Sequence, residues 1–243
     1  MTEAARDPRP ARRPQWGLPD AAFGWVVVWL ASQVWIVAVL GATGHVDDDL
    51  DDLPLTIIAL GQLGLALGFF VVPYVVTRTK GNGLVRDLGV RARWEDAWRG
   101  GLPGVLAQVV VLPLLYWPIL ELFDLGVSDL EEPARSLGDR ADGVGGAILL
   151  ILIVGILAPV FEEIFYRGLV QGALLKRGLR PWLAIAITAV VFGLVHFQLL
   201  QLPGLIVAGL LFGYLAHRAG RLGPAIAAHL TFNMVTVVAL LAS

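Results

Sequence analysis

Residues 158–167 read Ala-Pro-Val-Phe-Glu-Glu-Ile-Phe-Tyr-Arg, inside a run that is otherwise apolar from Val144 to Leu175. Two carboxylates, Glu162 and Glu163, and one guanidinium, Arg167, therefore sit where hydrocarbon is the expected solvent. Charge at the centre of a membrane helix costs about 2.5–3.5 kcal/mol per residue even on the gentlest insertion scales. Such groups face other helices or water and mark function. Elsewhere in the apolar segments the ionisable side chains are His196 and His229, with Asn233 as a further strong polar group.

The spacing divides these groups. Glu163 and Arg167 are i,i+4, the separation of a helical ion pair, whereas Glu162 is turned about 100° from Glu163. Phe192 and His196 are also i,i+4, as are His229 and Asn233. Glu162 lies 14 residues before Lys176, about 21 Å at the α-helical rise. His196 lies 14 residues after Trp182, again about 21 Å. His229 and Asn233 follow Gly223 by 6 and 10 residues, about 9 and 15 Å. Three helices thus bring polar groups to one slab of the membrane, between its middle and the cytoplasmic face.

A carboxylate beside an imidazole can activate water as a general base, and a second imidazole with an amide can stabilise an oxyanion. That chemistry is direct hydrolysis of an amide by water. The same carboxylate and two imidazoles, Glu162, His196 and His229, also match a catalytic zinc set with an open position, if the chain is a metalloenzyme. Other routes are closed. There is no cysteine, no His-Glu-x-x-His and no aspartate within an apolar segment. Of the four serines only Ser32 lies in one, without a glycine-flanked nucleophile setting.

The rest of the chain must hold these groups at depth. Of its 243 residues 57% are hydrophobic and 16% charged, with a mean hydropathy of +0.74. A soluble domain averages about 25% charged. The expected fold is all-α, a polytopic transmembrane helical bundle of about seven spans, at 22–42, 53–77, 101–120, 144–177, 182–200, 203–216 and 223–242. Span six is the short one. Residues 1–20, with four Pro and four Arg, read as a disordered basic tail. Residues 21–143 then form an N-terminal membrane part, and 144–243 the part that carries the chemistry.

Loop charges alternate. The tail is basic. Segment 43–52 has five Asp and no Lys or Arg, and 78–100 has six Lys or Arg. Segment 121–143 has seven acids against Arg135 and Arg140. Lys176, Arg177 and Arg180 follow, then an uncharged 199–203, then Arg218 and Arg221. The positive-inside rule puts the N-terminus in the cytoplasm. In the connector 84–100, Trp94 and Trp98 lie among arginines, as in an interfacial amphipathic helix or in ordinary aromatic-belt anchoring.

The three motifs resemble those of the CPBP family of intramembrane proteases, which includes the type II CAAX prenyl endopeptidases and bacterial Abi proteins. Glu-Glu-x-x-x-Arg stands as Glu162, Glu163 and Arg167. Phe-x-x-x-His stands as Phe192 and His196, and His-x-x-x-Asn as His229 and Asn233. They occur complete and in family order within 144–243.

The resemblance implies a membrane-embedded endopeptidase. In it Glu162 with His196 activates water, and His229 with Asn233 forms the oxyanion site. It implies no prenylated substrate and leaves zinc undecided. Expected partners are membrane lipid and a peptide or membrane-protein substrate, with no nucleic acid. The expected setting is a cell membrane of bacterial inner-membrane type, crossed several times, with the active site open to the cytoplasmic side. Two other readings compete: a non-catalytic immunity or partner protein on the same fold, and a proton-coupled transporter. Complete motifs disfavour the first, and the lack of repeated halves with broken helices disfavours the second.

Overall fold

A computed structural model describes residues 13–242. Apolar runs of 18 residues or more become helices, as a membrane requires of any spanning backbone. The helices are α1 (Leu18–Thr43), α2 (Leu55–Lys80) and α3 (Asp96–Phe123), then, after the shorter α4 (Val127–Gly138), α5 (Gly143–Lys176), the short α6 (Pro181–Leu194), α7 (Leu202–Ala219) and α8 (Gly223–Ala242). No strand occurs among the described residues. Six of these helices are long and apolar enough to cross a membrane, and α6 is an apolar helix too short to count with them. The protein is an all-α, polytopic membrane bundle.

Four expectations need correction. The short helix is α6 and not the following one: the run expected to reach residue 200 ends at Leu194, and 195–201 is a turn. Apolar composition continues through this turn, so hydropathy carries no stop signal there. The segment 121–143 holds α4, an amphipathic helix, where a loop was expected. The connector 84–100 is not one helix either. It makes a single turn at Leu84–Asp87, then runs irregularly until α3 starts at Asp96, leaving Trp94 and Trp98 exposed. The basic tail was expected to stay disordered to residue 20. Residues 1–12 lie outside the described residues. Trp16, however, is buried, its indole Nε1 donates to Asp87 at 3.1 Å, and α1 begins at Leu18.

The connectors gather at two ends of the bundle. At one end, Gln15 N donates to the Lys80 carbonyl, Leu222 N to that of Gly89, and Arg221 pairs with Asp96. Lys176 reaches the Trp16 carbonyl there as well. At the other end, Arg140 Nη2 donates to the Asp51 carbonyl at 2.7 Å and Gln201 Nε2 to the Leu130 carbonyl at 2.9 Å. The first end collects the basic connectors and the second the acidic ones.

α8 is seated against α3 through small residues. A Cβ on Gly100 would lie 2.0 Å from the Pro224 carbonyl oxygen, and one on Gly104 2.1 Å from that of Ala228. The Gly-x-x-x-Gly spacing lets the two backbones touch, as small residues do between membrane helices. Thr231 Oγ1 donates across the seam to the Gly101 carbonyl at 2.9 Å. This contact sets the depth of His229, one residue beyond Ala228. The aromatic core lies beside it, where Phe69, Phe165, Tyr166, Phe192 and Phe212 are all buried.

Candidate active site

α5 is not a regular α-helix where the motif lies. It widens to i→i+5 turns at Ile151–Leu157 and again at Glu163–Val170. Single wide turns of this kind gather at functional sites. Glu162 ends the ordinary turn between them, and Glu163 opens the second wide turn. Adjacent carboxylates consequently meet different surroundings.

Glu163 is wholly buried. Its Oε1 forms an ion pair with Arg167 Nη1, 2.8 Å away, the pairing expected from their spacing, and accepts a hydrogen bond from His229 Nδ1 at 2.9 Å. A carboxylate only accepts, so Nδ1 of His229 carries the proton of that bond. The Arg167 guanidinium lies over the Phe192 ring at 4.3 Å and near Phe212 at 5.3 Å. Phe212 stacks on the His229 imidazole, with centroids 4.5 Å apart and planes 21° off parallel. His229 is thereby held on one edge by a carboxylate and on one face by a ring.

Glu162 faces a cavity of about 470 Å³, together with Tyr166, His196, His229 and Asn233. Its nearest titratable partner is His229, with Oε2 3.8 Å from Nε2. That gap is too long for a direct hydrogen bond and short enough for one water to touch both. His196 lies in the turn after α6. Its Nδ1 donates to the Phe192 carbonyl at 2.7 Å, because a carbonyl cannot donate, so Nε2 is left as the free ring nitrogen. Asn233 Nδ2 donates to the Val154 carbonyl in the first wide turn, at 2.9 Å, and keeps a second N–H.

All six residues singled out in the sequence therefore come together, but their pairing differs. His229 belongs with both glutamates and not primarily with Asn233. His196 leans on its own helix and not on Glu162. Glu163, Arg167 and His229 are buried, while Glu162, His196 and Asn233 are half-buried on the cavity wall. Glu162, His196 and His229 share the cavity. Among the described residues no group of three His, Cys, Asp or Glu is arranged to hold a metal ion. Sequence reasoning missed Tyr166 and Phe212. An aromatic in an apolar helix carries no mark that separates a site wall from core.

The two ends of the bundle contribute unequally to the cavity wall. The cavity is lined at its far end by Leu55, Leu130, Ala134, Gln198 and Gln201, which belong to the acidic end. No residue of the basic connectors 78–100, 176–180 or 217–222 lines it. A cytoplasmic opening was expected, with those basic loops inside. Depth counted along α6 misleads, because α6 stops at Leu194 and His196 already sits in the acidic-end turn.

The multi-pass helical bundle thus holds a carboxylate, two imidazoles and an amide around one cavity. Residues 144–235 match the family described as type II CAAX prenyl endopeptidase Rce1-like. YdiL of Bacillus subtilis (strain 168), which carries the name of a membrane peptidase, is 30% identical over 174 residues, covering 72% of this chain and 66% of that protein. No solved structure matches. The chain spans just under two thirds of the length of that relative.

Proposed function

We propose that this protein is a membrane endopeptidase that cleaves peptide bonds with water activated by Glu162. The carrying observation is that Glu162, His196, His229 and Asn233, from separate stretches of the chain, line one cavity. Glu162 and the free Nε2 of His196 are both proton acceptors, matched to the two O–H bonds of a water. Glu162 takes one proton as the water oxygen attacks the carbonyl carbon. The oxyanion then faces the unused N–H of Asn233 and Nε2 of His229, which donates when that nitrogen carries a proton. As the C–N bond breaks, Glu162 returns its proton to the leaving amine. Glu163 and Arg167 do not touch the reacting atoms in this scheme; they fix the His229 ring.

The substrate class is a peptide or membrane protein. Cleavage of a quenched fluorescent membrane peptide by the purified protein in liposomes tests the reading, compared with Glu162→Gln and repeated with chelator. Cleavage by the parent protein and its loss in Glu162→Gln support it. Full activity in Glu162→Gln overturns it. Loss on chelation with recovery on adding zinc would move Glu162, His196 and His229 to a ligand role.

A further inference from the structure

The two ends of the bundle differ in charge far more than the net charge of −2 suggests. The acidic end, segments 43–52 and 121–143, carries twelve Asp and Glu against Arg135 and Arg140 alone. At this end the cavity's lining residues Leu130, Ala134, Gln198 and Gln201 are only half-buried. α4 supplies both its wall and its rim: Leu130 and Ala134 line it, and Glu131 and Glu132 on the same helix are exposed. Arg135 pairs with Glu131 at 2.6 Å, and Asp51, in the other acidic segment, is fully exposed with Arg140 4.0 Å away. The wall itself is chiefly apolar, with Gln198 and Gln201 as its polar groups near the mouth. Towards the basic end the cavity closes on Phe69, Tyr166, Phe192 and Phe212.

We propose that the site is served from the acidic, extracytoplasmic end, and that it takes an apolar peptide stretch with basic residues beside it. The word substrate here rests on the peptidase reading; the side of access does not. Basic connectors stay in the cytoplasm, so the acidic end faces away from it. A low-dielectric cleft with a rim of one sign concentrates ligands of the other sign and raises their on-rate by about 10-fold or more. A peptide whose apolar part fills the cavity leaves its flanks at that rim, where lysine or arginine is attracted and glutamate repelled.

The chain has no cysteine, so single thiols report on access without background. Gln198→Cys places one at the mouth, and Arg218→Cys one on the exposed basic end. In intact bacterial cells a membrane-impermeant maleimide is expected to label Gln198→Cys, and to label Arg218→Cys only after permeabilisation. Labelling of Gln198→Cys only after permeabilisation overturns the assignment of side, whether or not the protein cleaves anything. Two liposome-bound peptides with one apolar core, flanked by Lys-Lys or Glu-Glu, test the second half. The Lys-flanked peptide should be cleaved about 10-fold faster at low salt, with the gap narrowing as salt screens the rim. Equal rates at low salt, or faster cleavage of the Glu-flanked peptide, overturn the charge preference. Cleavage of neither peptide counts against the peptidase reading and leaves the labelling result standing.

Discussion

Two carboxylate–guanidinium pairs are buried in this bundle, and they are completed differently. Asp96 and Arg221 join the connector before α3 to the turn before α8. Asp96 uses both oxygens: Oδ2 takes Arg93 N at 2.8 Å and Arg221 Nε at 3.2 Å, and Oδ1 takes Arg221 Nη2. Nothing is left over. Glu163 and Arg167 lie deeper, and Glu163 Oε2 finds no hydrogen-bond partner among the described residues. Its other oxygen is shared between the arginine and His229. A latch satisfies its charges locally. A site leaves acceptor capacity unused and passes orientation on to a side chain that faces the cavity. Burial alone does not separate the two cases; what the second partner of the carboxylate does next separates them.

The comparison breaks most sharply at Glu162, the carboxylate with no arginine. Glu162→Gln keeps shape and polarity but accepts no proton, so cleavage should fall by about 10²–10⁴, the worth of a general base. The melting temperature in detergent should stay near that of the parent. A large loss of stability would show that Glu162 belongs to the structural pair and not to the chemistry.

Glu163→Ala should act the other way. It leaves the Arg167 guanidinium buried without its partner, a change typically costing 3–5 kcal/mol. Thermal melts should show this variant well below Glu162→Gln. Comparable melts would erase the division of labour between the two adjacent carboxylates.

Gly104→Ala probes how His229 is held at depth. Its Cβ would stand 2.1 Å from the Ala228 carbonyl oxygen, which is backbone and cannot rotate away. Overpacking of this kind costs about 1–3 kcal/mol. Because α8 must shift, activity should drop by more than the melt alone explains. A variant that loses stability but keeps its full rate would detach the α3–α8 seam from the site.

Asp96→Asn should give the smallest effect. Hydrogen bonds to a charged group are worth about 1.5–3 kcal/mol, and the amide retains part of them. Turnover at a temperature where the protein stays folded should match the parent. The hydrogen bond from Arg221 to Asp96 holds its guanidinium above its ordinary value. A raised base contributes stability that is complete below its unfolded pKa, strongly alkaline for arginine, and lost only as pH rises through the folded value. The Arg221 contribution to the melt should hence be constant from neutral to mildly alkaline pH. A marked drop within that range would mean that another group carries the latch.

Composition and periodicity by themselves determined the helical membrane class, most of the helices and the six polar residues of the site. The reason is solvent: in hydrocarbon the backbone must close its own hydrogen bonds, and every buried charge stands out against apolar neighbours. The i,i+4 pairing of Glu163 with Arg167 was legible too, because both lie on one helix. What sequence could not supply was any relation between helices. Whether His229 turns to Asn233 or to the glutamates depends on the wide turns in α5 and on how closely Gly100 and Gly104 let α8 approach α3. Residue spacing along one helix is silent on both. The end of α6 at Leu194 was likewise decided only in three dimensions. No charge, Gly or Pro interrupts 195–201, and only the folded chain, with Gln201 bonded to the Leu130 carbonyl of α4, shows that the helix has ended.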